Sequence, residues 1–164
     1  MVNNEDLLLK TNSGIFSYRI AGVLIRDGKV LIQRELSATT YSFPGGHVNF
    51  GEVSEETLIR EFKEEMGADI STERLLWIQE NFLKLGVNDC HQICLYYLIK
   101  LCDDTQIPLN GSFTFQPQLD TEVNQLEFSW IEMSRLKDFK LYPIFAKEKV
   151  LDLSDNIEHF VVKQ

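Results

Sequence analysis

The chain has 164 residues, 44% hydrophobic, 25% charged and 11% aromatic, a length and composition that suit one globular domain with its own buried core. Its formal net charge of −9 at pH 7 would repel a polyanion, and no dense Lys/Arg stripe offsets it, which argues against extended nucleic acid as a partner. No apolar run is long enough to span a bilayer, and the polar start Met1-Val2-Asn3-Asn4-Glu5-Asp6 does not read as a secretory signal, so a cytoplasmic protein without membrane association is expected.

In chain order, residues 15–26 and 29–34 are β-rich runs separated by Asp27-Gly28, a hairpin signal. A polar stretch over 35–40 leads to the tight corner Pro44-Gly45-Gly46. Residues 54–66 are predicted to be a helix, with Ser54 as N-cap, Glu55 and Glu56 at its positive end, and Gly67 as its stop. Strands are expected over 75–82 and 91–101, with a turn at 86–89. The polar stretch 103–122, broken by Pro108, Gly111 and Pro117, is the longest loop predicted, and long loops often border active sites. A strand over 126–131, short helices over 133–139 and 142–153, and a final strand or ordered tail at 159–162 complete the reading. No repeat, low-complexity tract or linker divides the chain, so residues 1–164 are expected to form a single domain. The interleaved elements predict an α/β (α+β) fold, a layered α/β/α sandwich around a mixed sheet. Three cysteines, Cys90, Cys94 and Cys102, do not make a disulfide framework. Cys90, His91 and Cys94 lack the paired spacing and second ligand cluster of a zinc site.

The helix carries the chemistry. Glu61, Glu64 and Glu65 are spaced i, i+3 and i+4, so their carboxylates gather on one face. Ile59, Phe62 and Met66, supported by Leu58, form a second face that is expected to pack inward. Like charges on adjacent turns oppose one another, and Arg60, four residues from both Glu56 and Glu64, cannot neutralise them all. Hard divalent cations such as Mg²⁺ take carboxylate oxygens and bridge them to phosphates. The glycine pair ahead of the helix lets backbone approach a ligand closely.

Gly46, Glu52 and Arg60-Glu61-Phe62-Lys63-Glu64-Glu65-Met66-Gly67 resemble the Nudix box of the MutT-like hydrolases, G-x5-E-x7-R-E-U-x-E-E-x-G-U, where U is bulky and apolar. Every fixed position over residues 46–68 is matched; the last U is the small Ala68. The preceding Tyr41-Ser42-Phe43-Pro44-Gly45-Gly46 is similar to the aromatic-x-x-Pro-Gly-Gly lead-in of that family. The resemblance implies a hydrolase that uses Mg²⁺ or Mn²⁺ to drive water onto phosphorus in a nucleoside-diphosphate-type small molecule. It implies Glu61, Glu64 and Glu65 as metal ligands and Arg60 as the residue orienting Glu64. Glu52 would be an auxiliary ligand or a structural anchor, and Gly45 and Gly46 would shape the backbone around phosphate. The general base is expected among the box glutamates or at Glu122 or Glu127. By position His47 and Arg34 are candidates for phosphate contact, while Phe43, Phe82 and Tyr97 are aromatic residues for which core packing is the simpler role. A nucleoside triphosphate, a nucleotide sugar and a dinucleotide all remain open as substrate. Homodimers are common among such proteins, and nothing in the sequence fixes an interface.

Overall fold

The computed structural model describes residues 5–114 and 125–164. Its strands are β1 (Leu8–Thr11), β2 (Gly14–Arg26), β3 (Lys29–Glu35), β4 (Tyr41–Ser42), β5 (Gly45–His47), β6 (Ile70–Leu85), β7 (Asn88–Leu101), β8 (Ser112–Thr114), β9 (Leu126–Glu132), β10 (Leu141–Tyr142) and β11 (Glu158–Lys163). Its helices are α1 (Ser54–Met66) and the single turn α2 (Ala146–Lys149), with a 3-10 helix at Met133–Asp138.

β2 is the axis of the fold. It pairs in parallel with β7 from Ile15↔Cys90 to Leu24↔Ile99. Along its other edge three strands succeed one another: β1 against Gly14–Ser17, β5 against Arg19–Ala21, and β3 only at Ile25 and Arg26. β3 therefore leaves β2 after two residues and pairs with β9 and β4, the latter carrying β10. On the far side β7 forms a long antiparallel hairpin with β6, and β11 adds to β6 in parallel. The expected Asp27-Gly28 turn is present, with both residues at positive φ (49° and 75°), the geometry that two-residue hairpins require.

Alternation along β2 explains the layering, because successive side chains of a strand point to opposite faces. Ile20 and Leu24 pack with Leu58, Phe62 and Met66 of α1, together with Leu31, Ile99 and Phe128. Ala21 and Val23 pack on the other side with Val30, Ile32 and Trp77, under Leu136 of the 3-10 helix and Ala146 and Val150. The mixed sheet is thus covered on both faces, as the predicted sandwich requires. Gly22, between these residues, sits where α1 crosses the sheet. A Cβ there would stand 2.6 Å from Ile99 Cδ1 and 2.9 Å from Phe62 Cε2. Gly22→Ala is expected to lower stability by about 1–3 kcal/mol through overpacking, read as a lower urea midpoint at unchanged slope.

Several expectations change in detail. Ile59 is 42% exposed; the inward face of α1 is Leu58, Phe62 and Met66. The helix expected over 142–153 shrinks to Ala146–Lys149, because Tyr142 is drawn into β10 and Pro143 follows it. The 103–122 stretch contains the short strand β8, held by pairing to β9; Glu122 lies outside the described residues. Among the described residues no helix is long and apolar enough to cross a membrane.

Candidate active site

α1 begins at the end of the loop that follows β5. Its N-cap is Val53, in extended conformation, and Glu56 reaches back to accept a hydrogen bond from the Val53 N–H at 3.3 Å. Ser54, the expected N-cap, lies in the first turn, and its hydroxyl meets that of Tyr18 at 2.6 Å. Gly67, at φ 67°, ends the helix, donating its N–H to Lys63 O.

Two glycines bring this helix against the sheet. Gly45 adopts φ 155°, and a Cβ there would strike the Ile20 carbonyl of β2. At Gly46 the space a Cβ would need is filled by the Glu61 carboxylate. A side chain at residue 46 would therefore displace the first of the helical glutamates.

Arg60 organises the acidic side chains. Its Nε donates to Glu52 Oε1 at 2.9 Å and its Nη2 to Glu52 Oε2 at 3.0 Å, a bidentate pair. Its Nη1 donates to Glu61 Oε1 at 2.8 Å and to Glu64 Oε2 at 3.2 Å. Glu52 Oε2 also accepts from Thr57 Oγ1 at 2.7 Å and from the Asn49 N–H at 3.3 Å. Both Glu52 oxygens are engaged, so of its two expected roles the surroundings supply those of an anchor.

The electrostatics grade the carboxylates. The Arg60 hydrogen bonds hold Glu52 below the ordinary carboxylate range. Burial pushes Glu61 up, against the opposing charge of Arg60. For Glu65, burial reinforced by the charge of Glu61 pushes the carboxyl up to about 8, and its Oε2 is buried without a hydrogen-bond partner among the described residues. Glu64 is the exposed member of the trio.

Glu65 lines a cleft of about 640 Å³ shared by β2, β3, β4, β6 and β7. Arg19, Arg34 and Gly45 line the same cleft. Arg19 makes no salt bridge among the described residues, while Arg34 Nε is tied to Glu127 Oε2 at 2.6 Å. Gly46, Glu61 and Glu64 are not part of its lining. His47 is not part of it either: pairing of β5 with β2 puts its Nε2 3.2 Å from Ser17 Oγ, and burial lowers its pKa. Phe43 and Tyr97 are core residues, and Phe82 stacks on His91. Arg19 was not singled out in the sequence, since a lone arginine in an apolar strand carries no local signal.

The residues present fit a hard divalent cation. Glu61 and Glu65 offer carboxylate oxygens one helical turn apart, one of them buried and unpartnered, and oxygen is the donor that Mg²⁺ and Mn²⁺ take. Among the described residues no three His, Cys, Asp or Glu side chains already converge to hold an ion. The expected four-glutamate set is thus not assembled as a closed site: Arg60 retains Glu52 and draws Glu64 towards itself.

Comparison with known proteins adds the lineage. The family model described as NUDIX domain matches residues 17–151. The chain belongs to the Nudix family. A curated relative, the RNA pyrophosphohydrolase of Erwinia tasmaniensis, is 31% identical over 113 residues, covering 60% of this chain and 63% of that protein; the Nudix chain thus spans less than two thirds of its relative's length. Among solved structures, a NUDIX hydrolase from Nitrosomonas europaea superposes with a TM-score of 0.61 at 18% identity, over 83% of this chain and 86% of that one. An ADP-ribose pyrophosphatase from Streptococcus suis superposes with a TM-score of 0.57 at 15% identity, over 88% and 98% respectively. These likenesses are likenesses of fold, and they match the mixed sheet with few helices described above.

Proposed function

We propose that this Nudix protein hydrolyses a phosphoanhydride bond in a nucleoside diphosphate linked to another moiety, by attack of water at phosphorus with Mg²⁺ or Mn²⁺ bound. The observation that carries the reading is Glu65: a half-buried carboxylate whose buried oxygen has no hydrogen-bond partner among the described residues, on the wall of a cleft that also holds Arg19, which makes no salt bridge among them. A carboxylate placed so is costly unless a cation joins it. The relatives' names, which cite pyrophosphohydrolase and pyrophosphatase activity, share the bond type. A nucleoside triphosphate, a nucleotide sugar and a dinucleotide remain the substrate classes, and the net charge of −9 favours these small molecules over a long polyanion.

In this reading Glu61, Glu64 and Glu65 hold the ion, and Glu52 acts through Arg60 as a positioning residue. Held by these carboxylates, Mg²⁺ or Mn²⁺ would supply acidification of water and offset charge on the phosphate oxygens. Arg19 binds phosphate in the cleft, Arg34 is held at the cleft wall by Glu127, and Gly46 acts by leaving the space that the Glu61 carboxylate occupies. A homodimer and a cytoplasmic location accord with this reading.

The test is a hydrolysis panel of nucleoside triphosphates, nucleotide sugars and dinucleoside polyphosphates with Mg²⁺ or Mn²⁺, following release of phosphate, pyrophosphate or nucleoside monophosphate. Turnover of none of them rejects the reading. Glu127, bound to Arg34, is poorly free to accept a proton, so Glu127→Gln is expected to retain turnover within about tenfold, well short of the 10²–10⁴-fold loss of a general base. A loss of that size would make Glu127 the base. Full activity in both Glu127→Gln and Glu122→Gln places the base within the box.

A further inference from the structure

The cleft contains a second set of residues that the hydrolytic reading does not use. Gln33 of β3 is only 6% exposed, lines the cleft, and its side-chain Oε1 is buried with no hydrogen-bond partner among the described residues. A buried amide oxygen without a donor is costly, so a free acceptor here points to a ligand that brings an N–H or O–H. Ser42 of β4 is the register partner of Gln33, and Tyr142 of β10 is the register partner of Ser42. Laterally paired residues project from the same face of a sheet. Gln33, Ser42 and Tyr142 therefore form one transverse row, about 10 Å across at the usual strand spacing, and all three line the cleft. Tyr142 is 42% exposed at its rim.

The row has a definite chemistry: a buried acceptor at one end, a hydroxyl in the middle and a free aromatic surface at the other end. Phosphate does not suit it, since an amide oxygen repels an anion. The neighbouring cation is also committed, because Arg34 is bound to Glu127 and lies 5.4 Å over the Tyr41 ring. A flat heteroaromatic ring bearing an amino group suits all three positions. It stacks on Tyr142, meets Ser42, and donates to Gln33 Oε1.

We propose that Gln33, Ser42 and Tyr142 form the nucleobase-recognition ledge of the cleft and select adenine, whose N6 amino group and N7 match the acceptor and donor of a glutamine amide. This rests on the reading of the cleft as a nucleotide site and specifies the nucleoside end of the substrate.

The test uses binding, so that it does not depend on turnover. Affinities of the full chain with Mg²⁺ are measured by calorimetry for the α,β-methylene diphosphates of adenosine and of inosine, which differ by an amino-to-oxo exchange at one ring position. The adenosine analogue is expected to bind at least about tenfold more tightly, the lower end of what a bidentate amide contact provides. Gln33→Met, similar in volume, should bring that ratio to about one. Tyr142→Ala, at the rim, should weaken both analogues alike, by about ten- to a hundredfold, as expected for loss of base stacking. A wild-type ratio near one, an unchanged ratio in Gln33→Met, or unaltered binding in Tyr142→Ala would overturn the ledge. If the analogues bind and discriminate but no nucleotide is hydrolysed, the hydrolase reading falls and the ledge stands. Hydrolysis without base discrimination has the opposite meaning.

Discussion

Arg60→Met is expected to lower stability by about 3 kcal/mol, the largest stability loss predicted for a single side chain of the site. The arginine is 23% exposed and its bidentate partner Glu52 is 16% exposed, so the pair is mostly withdrawn from water. Removing one member of such a pair leaves the other as an uncompensated charge, which costs more than the pair contributed. Here three carboxylates, Glu52, Glu61 and Glu64, lose their shared donor at once. Methionine keeps the apolar stem, which separates loss of charge from loss of packing. The pH dependence supplies a second readout. Glu52 has a depressed folded-state pKa, so its stabilisation is fully present above the ordinary value of 4.5 and is lost as pH falls through the folded value. Wild type should lose stability over that acid range, and the variant should show a smaller loss there. Denaturation midpoints equal to wild type across the pH series would mean that the network is ornamental. Arg60→Lys is expected to recover only part of the loss, because an ammonium cannot reproduce the fork that meets both Glu52 oxygens.

The parts of this molecule legible in the sequence are those specified by local chemistry. Asp27-Gly28 announces its hairpin because few residue pairs accept two positive φ values, and Gly67 announces the end of α1 for the same reason. The carboxylate face of α1 follows from helical spacing. What was not legible is set by pairing across the chain. β1, β4, β5, β8 and β10 are two to four residues long and exist because a partner strand is present; their own composition does not demand extension. β6 runs from Ile70, beyond the predicted start, because register shifts between Thr72 and Arg74 and between Leu75 and Trp77 break the alternation that a sequence reading seeks. The N-cap moved from Ser54 to Val53 because the Ser54 hydroxyl is satisfied by Tyr18, 36 residues away. The site divides in the same way. The box glutamates and Arg60 lie within one helix and its approach, so spacing reveals them. Arg19 and Gln33 become cleft residues only when β3 parts from β2 after two residues and β4 and β10 add to its edge, a fact of topology that no local window holds.

Glu65→Gln is expected to reduce turnover on the order of a thousandfold while leaving the fold intact, the largest activity loss predicted here. Losing a carboxylate that holds the ion forfeits several kcal/mol of charge stabilisation in the transition state, and each 1.36 kcal/mol is a factor of ten in rate. Glutamine preserves the shape and can still occupy the cleft wall. Without added metal the variant should be at least as stable as wild type. It no longer buries a carboxyl whose proton is retained up to about pH 8 under the combined influence of burial and Glu61. The decisive comparison is therefore thermal stability with and without Mg²⁺ or Mn²⁺. Wild type should be stabilised by the ion through mass action, and Glu65→Gln should lose most of that shift. Glu64→Gln offers a graded control, because Glu64 is 60% exposed and held by Arg60 at 3.2 Å: if it shares the ion, its turnover falls by orders of magnitude too, and unchanged turnover removes it from the ligand set. Glu52→Gln separates positioning from ligation. It should lower stability, as Arg60→Met does, yet keep the metal-induced shift, because its oxygens serve Arg60, Thr57 and the Asn49 N–H. An equal metal response in wild type and Glu65→Gln would mean that the unpartnered oxygen of Glu65 has no cation to meet.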